Sequence, residues 1–232
     1  GGHEVPVNFF SPDIDNQETF YTDANGLEMQ TRKLNFRPTW DLTLPTNQNI
    51  TANYYPVSTA IVIRDESAEN GMQMTVMNSR SQGGSVIKTG RIELMQNRRI
   101  NEDDWRGVGE ALNEEDAIGD GISVPATYYV QLFNRSKRSS LQRTIQQRQD
   151  CPPQYFFAFN PDVSVSTEPE AIFTDKMKQV VGNFDEQIRV ELFAEGRNKI
   201  MARVSNIADP FDSDGLLKFV KIDTQKFARD LY

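Results

Sequence analysis

Histidine and cysteine are almost missing from these 232 residues, which hold one of each, His3 and Cys151. A single cysteine excludes an intrachain disulfide, and a single histidine excludes a metal site built on two histidines of this chain. Cys151 is left either as a free thiol or as the partner of a cysteine on another chain. Long apolar runs are missing too: stretches such as Ala60-Ile61-Val62-Ile63 and Tyr155 to Phe159 stop far short of the roughly 20 residues a membrane-crossing helix needs. Positive charge is outweighed, with 25 Lys and Arg against 33 Asp and Glu and a net charge of −8. That balance argues against a general nucleic-acid binder, which needs a clustered excess of cations to neutralise phosphates.

What is present suits a packed domain: 38% hydrophobic residues and 10% aromatics are enough for a core in one large domain or two small ones. The sequence pI near 4.8 means that the surface loses much of its negative charge at about pH 4.5, which limits self-repulsion in an acidic compartment. Ordinary solubility accounts for the same acidity. The chain starts Gly1-Gly2-His3 with no initiator methionine, basic segment or apolar leader, so a signal peptide is expected to have been removed or to lie on a longer precursor.

Short alternating stretches bounded by turn residues recur along the chain, the pattern of antiparallel sheets with one buried face. Phe20 to Asp23 leads through Asn25-Gly26 into Leu27 to Leu34, and Asn-Gly tolerates the positive φ of a tight hairpin. Thr59 to Arg64 turns at Glu69-Asn70-Gly71 and returns as Met72 to Asn78, with Met72, Met74 and Val76 on one face. Further strands are expected at Arg91 to Ile100, Thr127 to Phe133, Tyr155 to Phe159 and Leu216 to Ile222. Ile188, Val190 and Leu192, answered by Ile200, Ala202 and Val204 across Glu195-Gly196, predict a late hairpin. Helices are expected only at Ser139 to Gln149 and Thr224 to Leu231. The fold class is therefore mainly β, an antiparallel β-sandwich of the large super-sandwich type with one or two short helices. A main sandwich region over 1–135, a polar connector over 136–150 and further strands over 151–232 follow from the basic, polar run RSKRSSLQRTIQQRQD that ends at Cys151-Pro152-Pro153.

Several ordered blocks carry a family resemblance. They are Phe20-Tyr21-Thr22-Asp23-Ala24-Asn25-Gly26, Asn35-Phe36-Arg37-Pro38-Thr39-Trp40, Asn53-Tyr54-Tyr55-Pro56-Val57, Arg80-Ser81-Gln82-Gly83-Gly84-Ser85, and Glu93-Leu94-Met95 through Arg98-Arg99 to Asp103-Asp104-Trp105-Arg106-Gly107-Val108. Together they closely resemble the β-rich C-terminal region of glycoside hydrolase family 38 α-mannosidases, and the paired glycines fit the lysosomal type better than the Golgi processing type. The match covers about the first half of the chain and loosens beyond Phe133.

The resemblance implies a retaining α-mannosidase whose zinc ion, held by two histidines and two aspartates, and whose carboxylic acids belong to an N-terminal catalytic chain or domain of the same precursor. This chain would supply no catalytic residue and bind no metal or cofactor. It would support that zinc-dependent partner, which acts on mannose-containing glycans in a lysosome, another acidic vacuole or outside the cell. Homo-oligomerisation of the assembled enzyme stays open. An autonomous carbohydrate-binding or structural β-sandwich without activity is the alternative.

The first arginine of the family's pair approaches the sugar, which points to Arg98. Strand parity places Ile92, Leu94, Gln96, Arg98 and Ile100 on one face. A cation in line with apolar positions needs an acceptor: either it reaches the sugar site or it forms a buried structural ion pair, with Asp103 or Asp104 as local partner. Gly83 and Gly84 read as a close-packed turn, since no Lys-Ser or Lys-Thr follows at phosphate-loop spacing; the resemblance implies that this turn packs at the interdomain contact.

Trp40, Tyr54, Tyr55 and Trp105 either stack on sugars or fill the core. Asn49-Ile50-Thr51 and Asn134-Arg135-Ser136 are N-glycosylation sequons. The Asp103-Asp104 and Glu114-Glu115-Asp116 clusters cannot face one another as adjacent extended residues. Asp209 to Gly215 lacks the first and last ligands of a calcium loop.

Overall fold

The structure, a computed structural model, describes residues 2–23, 25–44, 47–68, 71–103, 105, 107, 109–134, 140–155, 188–195, 199–209, 211 and 221–231. The chain divides into two compact units, Gly1–Asp150 and Cys151–Tyr232.

In the first unit nine strands run β1 (His3–Phe10), β2 (Thr19–Asp23), β3 (Met29–Lys33), β4 (Tyr55–Val57), β5 (Ala60–Arg64), β6 (Met72–Asn78), β7 (Gln82–Lys88), β8 (Arg91–Arg99) and β9 (Tyr128–Asn134). They form two antiparallel sheets, ordered β1-β8-β7-β4 and β3-β2-β5-β6-β9. The inward side chains of the two sheets make one core: Val57, Val86, Ile92 and Leu94 from the first meet Phe20, Ile61, Ile63, Met74 and Val76 from the second. The expected β-sandwich is thus the fold, and burying a side chain such as Phe20, fully enclosed here, contributes about 2–3 kcal/mol.

Both predicted hairpins of this unit form, with Ile61 opposite Val76 and Ile63 opposite Met74. Three strands were not expected from the pattern. β1 and β4 contain Pro6 and Pro56, which lack an N–H for a sheet ladder, and both strands lie at sheet edges, where proline is tolerated. β7 contains Gly83 and Gly84. The expectation of a turn at these glycines is corrected: they sit within β7, opposite Pro56 and Tyr55 of β4.

Ala60, Ile61, Val62 and Ile63 are all buried, because the β5–β6 sheet is covered on both faces. The second cover is α1 (Ser140–Asp150), drawn from the polar run. Its Gln142 accepts hydrogen bonds from Gln73 Nε2 at 3.5 Å and Thr75 Oγ1 at 3.3 Å. Arg143 Nη1 donates to the Gly26 carbonyl at 2.7 Å, and Gln146 Nε2 to Thr59 Oγ1 at 2.7 Å. These contacts hold a polar helix against the sheet, although Gln142 Nε2, Gln146 Oε1 and Gln149 Nε2 are buried without a partner.

In the second unit β10 (Ile188–Ala194) and β11 (Ile200–Asn206) form the late hairpin, with Val190 opposite Val204 and Leu192 opposite Ala202. The helix α2 (Thr224–Leu231) follows. Of the remaining expected strands, Tyr155 to Phe159 falls beyond the described residues except for the exposed Tyr155. Leu216 to Ile222 lies outside them except for Lys221 and Ile222, which are not in a strand.

Candidate functional site

The paired-arginine strand β8 runs beside β1 in regular register from Phe10–Arg91 to Pro6–Met95, then skips: Val5 faces Asn97, and Glu4 faces Arg98. Gln96 is the extra residue of a β-bulge, which reverses the side-chain alternation beyond it. The parity expected for Arg98 is therefore corrected. Ile92 and Leu94 point into the core, whereas Arg98 lies with Glu4 on the outer face of the four-stranded sheet.

Three contacts hold the bulge. Arg80 Nη2 donates to the Gln96 carbonyl, the Tyr128 hydroxyl donates to Gln96 Oε1, and Gln96 Nε2 donates to the Val124 carbonyl at 3.4 Å. Arg80 belongs to the Arg80-to-Ser85 motif, so one sequence block fixes the backbone that aims the arginine of another.

Arg98 Nε lies 2.9 Å from Glu4 Oε1, and both side chains are about half exposed. The carboxylate expected from Asp103 comes instead from the neighbouring strand; Asp103 Oδ2 accepts from the Trp105 amide at 2.9 Å. Asp104 and Arg106 lie outside the described residues. The two side chains pair by charge, and no hydrogen bond from the terminal nitrogens of Arg98 is present among the described residues. Arg99 pairs with Glu115 at 3.3 Å. Glu4 was not anticipated because β1 carries a proline and a bulge, although its apolar alternation at Val5, Val7 and Phe9 is present in the sequence.

The same outer face holds Tyr54, whose hydroxyl donates to Glu93 Oε1. Burial, then the hydrogen bond to Glu93, then the charges of Glu93 and Glu4 push its pKa above the ordinary tyrosine value. A Cβ on Gly83 would stand 3.1 Å from Tyr54 Cδ1, and one on Gly84 would stand 2.7 Å from Val57 Cγ2 and 2.9 Å from Leu94 Cδ2. Each glycine thus admits a side chain to one face of β7: the Tyr54 ring outside, the Val57–Leu94 contact inside.

The other singled-out residues are dispersed. Tyr55 is core, while Trp40 is exposed. Trp105 is 90% exposed and sits at φ 60°, a strained left-handed backbone for a bulky residue. Asn49 is exposed, and Asn134 ends β9 partly buried. Cys151 is a free, exposed thiol. Among the described residues no group of three or more His, Cys, Asp or Glu side chains is arranged to hold a metal ion.

The described strands of the first unit define a two-sheet antiparallel β-sandwich with a half-exposed arginine on one outer face. Residues 5–106 match the model of the glycosyl hydrolases family 38 C-terminal domain. The chain belongs to that family as a C-terminal region. It is 39% identical over 157 residues to the lysosomal alpha-mannosidase of Bos taurus, covering 68% of this chain and 15% of that protein. Over 114 residues it is 45% identical to that of Felis catus, covering 49% and 11%. Over 217 residues it is 30% identical to that of Dictyostelium discoideum, covering 89% and 20%. The chain thus spans no more than a fifth of the length of these relatives.

Proposed function

We propose that the chain is the non-catalytic β-rich portion of a retaining acid α-mannosidase that removes terminal α-mannose from glycans, and that Arg98 forms part of the wall of its sugar site. The observation that carries the reading is the family match over the segment containing the bulge and Arg98. With Glu4 beside it, the half-exposed Arg98 guanidinium keeps donors suited to sugar hydroxyls or to a carboxylate of the catalytic portion. In this reading zinc and both reacting carboxyl groups belong to that portion, as the family resemblance implies. Zinc would there organise the mannose hydroxyls.

Contact with the catalytic portion is supported by the segment between β8 and β9, where Trp105, Leu112, Ile118, Ile122 and Val124 are exposed. Apolar side chains exposed together on a segment mark a surface for protein contact. Gly83 lies on the outer face of the four-stranded sheet, and the interdomain contact is assigned to it and to the Tyr54 ring packed over it, while Gly84 faces the core. The names of the relatives support a lysosomal or other acidic location, or secretion, and glycans at Asn49 and Asn134 go with such a route.

Native immunopurification with an antibody to this chain, followed by intact-mass analysis and assay with an aryl α-mannoside, tests the reading. A copurifying or covalently continuous catalytic polypeptide with zinc-dependent mannosidase activity is expected. A stable, zinc-free lone chain that binds glycans without hydrolysing them would establish the autonomous binding module instead.

A further inference from the structure

Two arginines converge on one aromatic ring where β3 and β4 form an edge of the sandwich. Arg32 Cζ lies 4.5 Å from the Tyr55 ring centroid and Arg37 Cζ 4.7 Å, so the two guanidinium carbons stand at most about 9 Å apart, near enough for the charge of Arg37 to act on Arg32. The loop that brings Arg37 here is fixed by Asn53, whose side chain accepts from the Asn35 amide at 2.8 Å and donates to the Asn49 carbonyl at 2.7 Å.

Every acceptor around the two cations is neutral. Arg32 Nε donates to Thr22 Oγ1 at 3.1 Å, Arg37 Nη1 to the Phe36 carbonyl at 3.0 Å, and Arg37 Nη2 to the Ala52 carbonyl. Among the described residues neither arginine has an ion pair. The Tyr55 ring is largely buried, while its hydroxyl, without a hydrogen-bond partner among them, keeps contact with solvent. Arg32 shows the cost: burial lowers its pKa, Tyr55 opposes that shift, and the charge of Arg37 adds to it. Two partly buried cations side by side without a counter-charge are unfavourable and favour uptake of an anion.

We infer that Arg32, Arg37 and the Tyr55 hydroxyl form a binding site for one tetrahedral oxyanion, a phosphate or sulfate group, free or carried as an ester. Guanidinium forks match such oxygens in geometry, two positive charges complement a dianion, and the phenol adds a further donor. Arg98 and Arg99 differ in already having carboxylates.

Isothermal titration of the purified protein carrying this chain tests the site with sodium phosphate, sodium sulfate and a hexose phosphate monoester, against sodium chloride at matched ionic strength. Saturable binding to at least one of the three probes, absent with chloride, is expected. Binding of the ester alone marks a carried group, and binding of the inorganic ions marks a free one. Arg37→Met should weaken binding by about tenfold, the worth of one charge-assisted contact, and Arg37→Lys by less. Tyr55→Phe preserves shape and serves as the deciding variant if Arg37→Met does not fold; it too should weaken binding. A response equal to that with chloride, or unchanged affinity in the folded variants, overturns the site. So does release of a copurifying polypeptide by Arg37→Met without any effect on anion binding, because a partner's carboxylate then fills the cluster. No mannosidase activity enters the readout, so failure here is distinct from failure of the enzyme reading.

Discussion

Glu4 and Arg98 meet at 2.9 Å across the β1–β8 pair, on the face of the sheet turned away from the core. They face one another because Gln96 is bulged out of the ladder; an uninterrupted strand would send Arg98 into the row that contains Ile92 and Leu94. With both side chains about half exposed, such a pair contributes at most about 1 kcal/mol to stability. Its consequence is placement: the pair keeps both charges on the outer face of the sheet, each side chain about half exposed.

Gly84→Ala is expected to destabilise the protein by about 1–3 kcal/mol, because its methyl must displace packed core groups. Val57 Cγ2 would lie 2.7 Å away and Leu94 Cδ2 2.9 Å. Gly83→Ala meets only the partly exposed Tyr54 ring, at 3.1 Å, and should cost less. Urea-denaturation midpoints of the two variants check the order, and equal losses would contradict this account of β7.

The buried carboxylate of Asp23 accepts hydrogen bonds from the amides of Gly26, Thr59 and Ala60 at 2.7, 2.7 and 2.8 Å and from Thr59 Oγ1 at 3.0 Å. It therefore ties the β2–β3 hairpin to the start of β5. Asp23→Ala strands those donors and should cost about 3 kcal/mol or more, while Asp23→Asn, which keeps one acceptor oxygen, should cost less. Denaturation curves measure both, and amide exchange at Gly26 and Thr59 should accelerate in the alanine variant.

Tyr54 should resist ionisation. Its pKa is raised from an ordinary value of 10.0, so the folded state keeps its proton where the unfolded state loses it. The stability this contributes is fully present below pH 10 and declines as pH rises above it. Ultraviolet titration should show as many tyrosines ionising near that pH in wild type as in Tyr54→Phe, although wild type has one tyrosine more. A Tyr54 that titrates normally would contradict the Glu93 contact.

Much of this architecture is legible in the sequence, and the failures have local causes. The hairpins at Asn25-Gly26 and after Arg64 follow from alternation plus turn residues. β1, β4 and β7 escape notice because Pro6, Pro56 and the glycine pair break the propensity pattern for reasons of edge position and close approach. The motif points to Arg98, but strand parity puts it on the wrong face: a bulge leaves little trace in a period-two pattern, and Gln96 is an ordinary residue. The Arg32–Tyr55–Arg37 cluster joins β3, β4 and the loop between them, and no spacing rule brings these together.

Asn49 is exposed beside the single helical turn Thr51–Asn53. In protein made through a secretory pathway, Asn49 should carry an N-glycan, read as a mass loss on enzymatic deglycosylation that disappears in Asn49→Gln. An identical loss in wild type and variant would remove the assignment.

The most direct test is the steady-state kinetics of Arg98→Ala in the complete enzyme. The predicted result is kcat/KM lowered by about ten- to a hundredfold, the worth of one charge-assisted contact in the transition state, with the melting temperature unchanged because the Glu4 pair is half exposed. Wild-type kinetics in a correctly folded Arg98→Ala enzyme would contradict the account.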